Sequence, residues 1–241
     1  MRKLAIFVEG LTEQILVRRL IDSVMDKHRI AVQTVKITGG HNVRMSFTVM
    51  KAAHVDNLTD YYVLIYDCGG ESNVKGYMLA HREKLVSSGY SMVIGLRDVY
   101  PNFSREEVGK LMRGLNYKLP QKKAPTRIYL AIMEIEAWFL GEYRHLKKVS
   151  KWLTPAFIEK HLGFNPATEN MEDRDFPCQD MKAIYRLVGH DYTKKRDRLY
   201  AVVNKLDMHY FTHGLAEKMP SLGKFIKGLE PVSYTHLTLP T

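Results

Sequence analysis

The first apolar run of the chain ends abruptly at a carboxylate. Residues 4–8 are unbroken hydrophobic positions, which predicts a strand covered on both faces, and residues 12–21 change to helical spacing. Glu9 therefore lies at the mouth of a predicted strand, just before a predicted helix. In α/β proteins, acids at the carboxyl ends of parallel strands lie where ligands bind.

Further strands and helices alternate along the chain. Short runs rich in β-branched or aromatic residues predict strands at 34–38, 61–66, 91–96 and 127–133. Helical spacing predicts helices at 12–27, 43–54 and 74–87. A polar helix is predicted over 102–118, since Ser104 and Glu107 have the spacing of a capping box. The alternation predicts an α/β fold, with a mostly parallel sheet flanked by helices.

The second part of the chain, residues 143–231, is predicted to be a helical extension packed on the α/β domain of residues 1–142. The pattern after Trp138 is helical and irregular, with prolines as breaks and no convincing strand. Residues 232–241 read VSYTHLTLPT and resemble the translation of a sequencing adapter. We therefore expect a non-native tail there and a missing natural carboxyl terminus.

Composition narrows the class of protein. With 241 residues, 45% of them hydrophobic, the chain can bury one sizeable core. It has no apolar stretch near the roughly 20 residues that span a bilayer and no signal-peptide pattern, so we expect a cytoplasmic protein without a membrane partner. Cys68 and Cys178 are the only cysteines, and their spacing fits neither a disulfide framework nor a structural zinc site.

The charge balance is basic, with 36 Lys and Arg against 26 Asp and Glu and a net charge of +10. Such a balance favours a polyanionic partner such as DNA or RNA, although an ordinary basic surface accounts for it equally well. The candidate nucleic-acid contacts are Arg18, Arg44, Lys194, Lys195, Arg196 and Arg198. The last four form the densest basic run, and flanking tyrosines could stack on bases. A solvated helix face is the more common origin of such a run.

Acids follow most of the predicted strands, and parallel strands bring their carboxyl ends to one edge of a sheet. These acids are Glu9, Glu13, Asp67, Asp98, Glu134 and Glu136. Clustered carboxylates repel one another unless a cation neutralises them, and hard oxygen ligands suit Mg²⁺ or Mn²⁺. The sequence therefore predicts a cation site at this edge.

Several of these acids also have a purely structural interpretation. Glu13 falls in the first turn of a helix, where an acid is favoured whatever the function, and Asp67 can cap the turn after its strand. Glu9 is the hardest to explain structurally, because a lone acid after five apolar residues is costly if it is buried and unpaired.

The last two strand ends leave further alternatives open. Asp98 could pair with Arg97, although neighbours on a strand point to opposite faces. Glu134 and Glu136 face the same way if their strand continues, but they diverge if a helix begins at Ile135.

The segment VEGLTE at residues 8–13 resembles the first motif of the Toprim fold, as found in overcoming-lysogenization-defect (OLD) nucleases and small Toprim-like proteins of unknown function. The segment TGG at 38–40 fits the glycine-ended second strand of those families. MEIEAWFL at 133–140 is similar to a further acidic block of the small Toprim-like group. The resemblance covers residues 1–142, with a weaker echo at 221–226.

The resemblance implies metal-dependent phosphodiester hydrolysis with Mg²⁺ or Mn²⁺. It implies catalytic roles for Glu9, Asp98 and Glu134, and metal ligation by Glu9, Glu13, Asp67, Asp98 and Glu136. His41 would contact phosphate, although an exposed loop histidine is the commoner case. The chain departs from the family in one respect: Toprim enzymes usually present Asp-x-Asp, whereas neither Asp67 nor Asp98 is followed by a second aspartate.

Two functions follow as expectations. The first is a nuclease acting on DNA or RNA. The resemblance suggests that this nuclease is the effector of an anti-phage defence system. The alternative is a non-catalytic Toprim-like module that binds nucleic acid or protein and partners an ATPase. The chain has no Gly-x-x-x-x-Gly-Lys-Ser/Thr loop, so a nucleotide-driven step would come from a separate ATPase subunit. The oligomeric state has no signature in the sequence.

Overall fold

The structure, a computed structural model, describes residues 1–40 and 43–230. His41 and the adapter-like segment 232–241 lie outside the described residues.

A six-stranded sheet forms the centre of the protein, in the order β3-β2-β4-β1-β5-β6. Its strands are β1 (Arg2–Val8), β2 (Ile30–Gly40), β3 (Val43–Lys51), β4 (Tyr61–Asp67), β5 (Tyr90–Asp98) and β6 (Thr126–Ala131). Five of the strands are parallel, and β3 pairs antiparallel with β2 at one edge. The predicted α/β fold, a mostly parallel sheet flanked by helices, is confirmed.

The first helices follow the strands: α1 (Leu11–Val24), α2 (Glu71–Ser87), α3 (Val108–Asn116) and α4 (Glu136–Gly141). The second part of the described chain is helical: α5 (Leu146–Val149), α6 (Pro155–Leu162), α7 (Pro177–Arg186), α8 (Arg196–Val203), α9 (Met208–Thr212), α10 (Gly214–Lys218) and α11 (Pro220–Leu229). The predicted capping box is present before α3, where the Ser104 amide donates to the Glu107 carboxylate at 3.0 Å.

The helix predicted over residues 43–54 was wrong, because this segment forms the edge strand β3. Its apolar residues Val43, Met45, Phe47 and Val49 alternate with other residues at the two-residue period of a strand. Gly39 in β2 permits the close pairing, since its φ is +91° and a Cβ there would lie 2.4 Å from the Arg44 carbonyl oxygen. A hairpin pairing thus determined the conformation of this segment.

Two hydrophobic cores lie on opposite faces of the sheet. On one face, apolar side chains of β1 such as Ile6 pack with α1, with α4 and with the helices of the second part of the chain. This core includes Trp138 of α4, which is fully buried. On the other face, Phe7 of β1 packs with α2 and α3. The helices after residue 143 therefore share a core with α1 and the sheet.

Helix α1 follows β1 and packs in the core on one face of the sheet, whereas α2 follows β4 and packs in the core on the other face. Since β1 and β4 are neighbours, their carboxyl ends border a crevice of the kind in which α/β proteins bind ligands. None of the helices within the described ranges is long and apolar enough to cross a membrane.

Candidate metal centre at the carboxyl edge of the sheet

Three of the predicted acids share a cavity of about 300 Å³ at this crevice. Glu9 directly follows β1, Glu13 lies in the first turn of α1, and Asp98 is the last residue of β5. Lys194, from the segment between α7 and α8, completes the lining together with backbone of the glycine loop after β4. The edge of the parallel sheet has brought together residues up to 185 positions apart in sequence.

Backbone amides hold these carboxylates in place. Glu9 Oε2 accepts a hydrogen bond from the Asp98 amide at 3.0 Å, and Asp98 Oδ1 accepts one from the Ile135 amide at 3.0 Å. Glu13 Oε2 accepts from the Gly10 amide at 2.9 Å, so Glu13 also caps the start of α1. The positions of the acids are therefore fixed by the ends of β1, β5 and α1.

Burial and mutual repulsion raise the pKa values of this group. Burial, with the neighbouring charge of Glu9, raises the pKa of Glu13 to about 8. Burial, followed by the charges of Glu13 and Glu9, raises the pKa of Asp98 well above its usual range. Burial also raises the pKa of Glu9, against the opposing effect of its hydrogen bond from the Asp98 amide. Perturbed carboxylates in a cleft are typical of functional sites.

Asp67 has a local role beside this cavity, which it does not line. Its Oδ1 accepts a hydrogen bond from the Gly69 amide at 2.9 Å and so closes the turn after β4. Gly69 and Gly70 have φ values of +68° and +152°, a backbone that suits glycine. Burial raises the pKa of Asp67, and the Gly69 amide opposes this effect.

The strand does not continue through Glu134 and Glu136, because β6 ends at Ala131 and α4 begins at Glu136. The Glu134 Oε2 atom accepts a hydrogen bond from the Cys178 amide at 2.8 Å. Of the two interpretations left open by the sequence, the one with a helix start near Ile135 is therefore correct.

Glu136 is fully buried and is held by the segment between α7 and α8. Its Oε1 atom accepts a hydrogen bond from the Tyr192 hydroxyl at 2.9 Å and pairs with Lys194 Nζ at 2.8 Å. Its Oε2 atom is buried without a hydrogen-bond partner among residues 1–40 and 43–230. Burial by itself lowers the pKa of Lys194. The charge of Glu136 and the hydrogen bond to it outweigh this effect and raise the pKa of Lys194 above its usual range.

Sequence reasoning missed Tyr192 as a site residue and placed Lys194 among the nucleic-acid contacts. The only available signal was their position in and beside the densest basic run of the chain. A buried partner for Lys194 could not be identified from that run, because Glu136 lies 58 residues earlier.

A second group of potential ligands adjoins Glu136. Within the described part of the chain, Glu134, Glu136 and Cys178 are the one set of three whose ligand atoms all lie within 4.8 Å of one another, and they could hold a metal ion. Burial raises the pKa of the Cys178 thiol to about 11, so without a metal it stays protonated at neutral pH. A sulfur ligand suits softer cations than Mg²⁺.

The donors of the cavity itself fit the cation that the resemblance implies. Glu9, Glu13 and Asp98 offer carboxylate oxygens, the ligands that Mg²⁺ and Mn²⁺ prefer. Because these three do not form a set within 4.8 Å in the described residues, a cation here would take one or two carboxylates and keep water ligands, as Mg²⁺ commonly does. It would also offset the repulsion that raises their pKa values.

The predicted nucleic-acid contacts are scattered over the surface. Arg18 pairs with Asp22 on α1, and Arg44 is exposed on the edge strand β3. Arg196 begins α8. Lys195 and Arg198 line a separate cavity. Lys194 is the predicted contact that lines the acidic cavity, and the Arg196 charge opposes the rise in the pKa of Asp67 beside it.

Comparison of the chain with models of protein families, with curated proteins and with solved structures found no match.

Proposed function

We propose that the cavity lined by Glu9, Glu13 and Asp98 is the centre of a phosphodiesterase, a nuclease that depends on Mg²⁺ or Mn²⁺ and acts on DNA or RNA. The observation that supports this proposal is the convergence of three carboxylates with raised pKa values on one crevice of the sheet. The basic charge of +10 agrees with a polyanionic substrate.

Each side chain has a role that its surroundings favour. Glu9 and Asp98 would hold the cation, because both lie at strand ends and are fixed through backbone amides. Bound there, a divalent cation would supply polarisation of the phosphate and activation of a water molecule. Glu13, with a pKa of about 8, is suited to take up or release a proton near neutral pH. Lys194 would neutralise charge on an entering phosphate.

The test is cleavage of plasmid, single-stranded DNA and tRNA with Mg²⁺, with Mn²⁺ and with chelator. Glu9→Gln keeps the size of the side chain and removes its charge, so we expect cleavage to fall by at least about a hundredfold. Glu83→Gln makes the same chemical change at an exposed position of α2 and should cleave normally. Cleavage that survives chelator, or that Glu9→Gln leaves unchanged, would refute the proposal.

Two observations favour the alternative, a non-catalytic module that binds nucleic acid or protein. The Lys194 ammonium already pairs with Glu136 at the border of the acidic group, and Tyr100 stands at the position, two residues after Asp98, where Asp-x-Asp has its second aspartate. Binding of the same substrates without cleavage in any metal would establish this alternative. A role in anti-phage defence and a separate ATPase partner rest on the resemblance alone, and an ATPase encoded by the neighbouring gene would support them.

A further inference from the structure

A second and larger cavity, of about 630 Å³, lies in the helical part of the chain between α7 and α8. Three cationic side chains line it, those of Lys195, Arg198 and Lys205, whereas Asp191 is the one acid of its lining. Coulomb attraction at such a wall favours an anion. Apolar groups form another part of the wall, among them Val202. The cavity thus combines a cationic side with an apolar side.

Two hydroxyl groups in the wall have unused hydrogen-bonding capacity. The hydroxyl oxygens of Tyr185 and Thr193 are buried and have no hydrogen-bond partner among the residues that the structure describes. Burial raises the pKa of Tyr185 to about 12, so its hydroxyl keeps its proton and can donate. Buried hydroxyls without partners are costly, and an oxygen-rich ligand would relieve that cost.

We propose that this cavity binds a nucleoside phosphate, with the phosphate against Lys195, Arg198 and Lys205 and the nucleoside against the apolar side. Its volume lies within the range of about 300–1,000 Å³ that small-molecule sites occupy. The nucleoside phosphate is either a free nucleotide or one unit of a nucleic-acid strand, since both present the same chemistry.

The cavity and the acidic centre share one segment of chain. Lys194 pairs with Glu136 on the acidic side, whereas Thr193 and Lys195 line the cavity. Tyr192 belongs to both sides, since it lines the cavity and its hydroxyl donates to Glu136. An occupant of the cavity therefore holds the segment that delivers Lys194 to the acids. Binding itself does not depend on the proposed nuclease function, since none of the three cations contributes to the acidic cavity.

The experiment measures binding of three probes to the full chain in the presence of chelator: inorganic phosphate, adenosine monophosphate and a short fluorescein-labelled single-stranded DNA. The double variant Lys195→Glu and Arg198→Glu should weaken binding by at least about a hundredfold, since each removed charge-assisted contact corresponds to about tenfold. Lys110→Glu is the matched control, because Lys110 is exposed on α3, across the sheet. Glu9→Gln should bind normally, which separates this result from the nuclease test.

Thr193→Val provides a second variant that changes no charge. It removes a wall hydroxyl and keeps the side-chain volume, so we expect several-fold weaker binding with an unchanged melting temperature. Binding of the free nucleotide identifies a nucleotide site, and binding of the DNA alone identifies a strand as the source of the phosphate; both support the proposal. Absence of binding of all probes at millimolar concentration, or equal weakening by Lys110→Glu, would overturn it.

Discussion

The pKa of Glu13 makes the stability of the metal-free protein depend on pH in an unusual direction. An ordinary Glu titrates at 4.5, and burial beside Glu9 raises the pKa of Glu13 to about 8 in the folded protein. Between these values the folded chain binds a proton that the unfolded chain has released. The stabilisation is therefore complete below pH 4.5, and it is lost as the pH rises through about 8.

The magnitude follows from linkage. Each pH unit in that interval lowers the free energy of unfolding by up to about 1.4 kcal/mol, so the whole interval corresponds to at most about 5 kcal/mol. Domains are typically stable by about 5–15 kcal/mol in total, so the effect is large enough to measure. Glu13→Gln keeps an oxygen for the Gly10 amide and removes the titration.

The assay is urea unfolding at intervals from pH 5 to pH 9 in chelator. We expect the wild-type protein to lose stability across this range and Glu13→Gln to lose less, so that the variant is the more stable protein at pH 8.5. Glu83→Gln, at an exposed position, should follow the wild type. A Glu13→Gln curve parallel to that of the wild type would refute the reasoning, because Glu13 would then not be the group that titrates.

Other substitutions test separate parts of the structure by urea unfolding at pH 7. Gly95→Ala would place a Cβ 2.6 Å from a methionine sulfur of α2, and we expect overpacking to cost about 1–3 kcal/mol; an unchanged midpoint would contradict the packing of α2 on β5. Ser221→Ala removes a hydroxyl that accepts from a buried indole N–H and donates to Glu172, so we expect a loss of about 2 kcal/mol. Lys194→Met leaves the buried Glu136 carboxylate without its cation. We expect a destabilisation of about 1–3 kcal/mol, a range set below that of a fully buried pair because the Lys194 side chain is 45% exposed. Adding Glu136→Gln should restore part of the lost stability.

Strands of the sheet could be predicted from the sequence wherever the local pattern of apolar residues alone determined their conformation. The strands at 61–66 and 91–96 are buried on both faces, so their continuous apolar runs mark them within two residues of their observed bounds. Residues 43–51 carried a weaker signal, because β3 is an edge strand whose side chains are largely exposed. Its conformation depends on pairing with β2, which helical spacing of a few apolar residues cannot represent.

The acidic site was predictable only as far as parallel strands dictate it. Glu9 and Asp98 end neighbouring parallel strands, so their approach follows from the sheet alone. The fate of Glu134 depended on whether its strand continued, and a helix start two residues later turned it towards Cys178. The segment between α7 and α8 packs over the edge of the sheet and supplies both Tyr192 and Lys194. This packing is a tertiary contact that no local sequence pattern predicts.

The charge balance of the site connects its two candidate functions. Glu9, Glu13, Asp98 and Glu136 provide four carboxylates, and Lys194 and the buried Arg97 provide two cations against them. Two cations cannot neutralise four acids, so protons must make up the difference in the metal-free protein, which agrees with the raised pKa values of Glu13 and Asp98. A divalent cation would compete for the same oxygens and displace those protons. A centre that binds a metal must therefore bind it more tightly as the pH rises towards 8. A site whose charge is balanced by protons, Lys194 and Arg97 gains no stability from added metal.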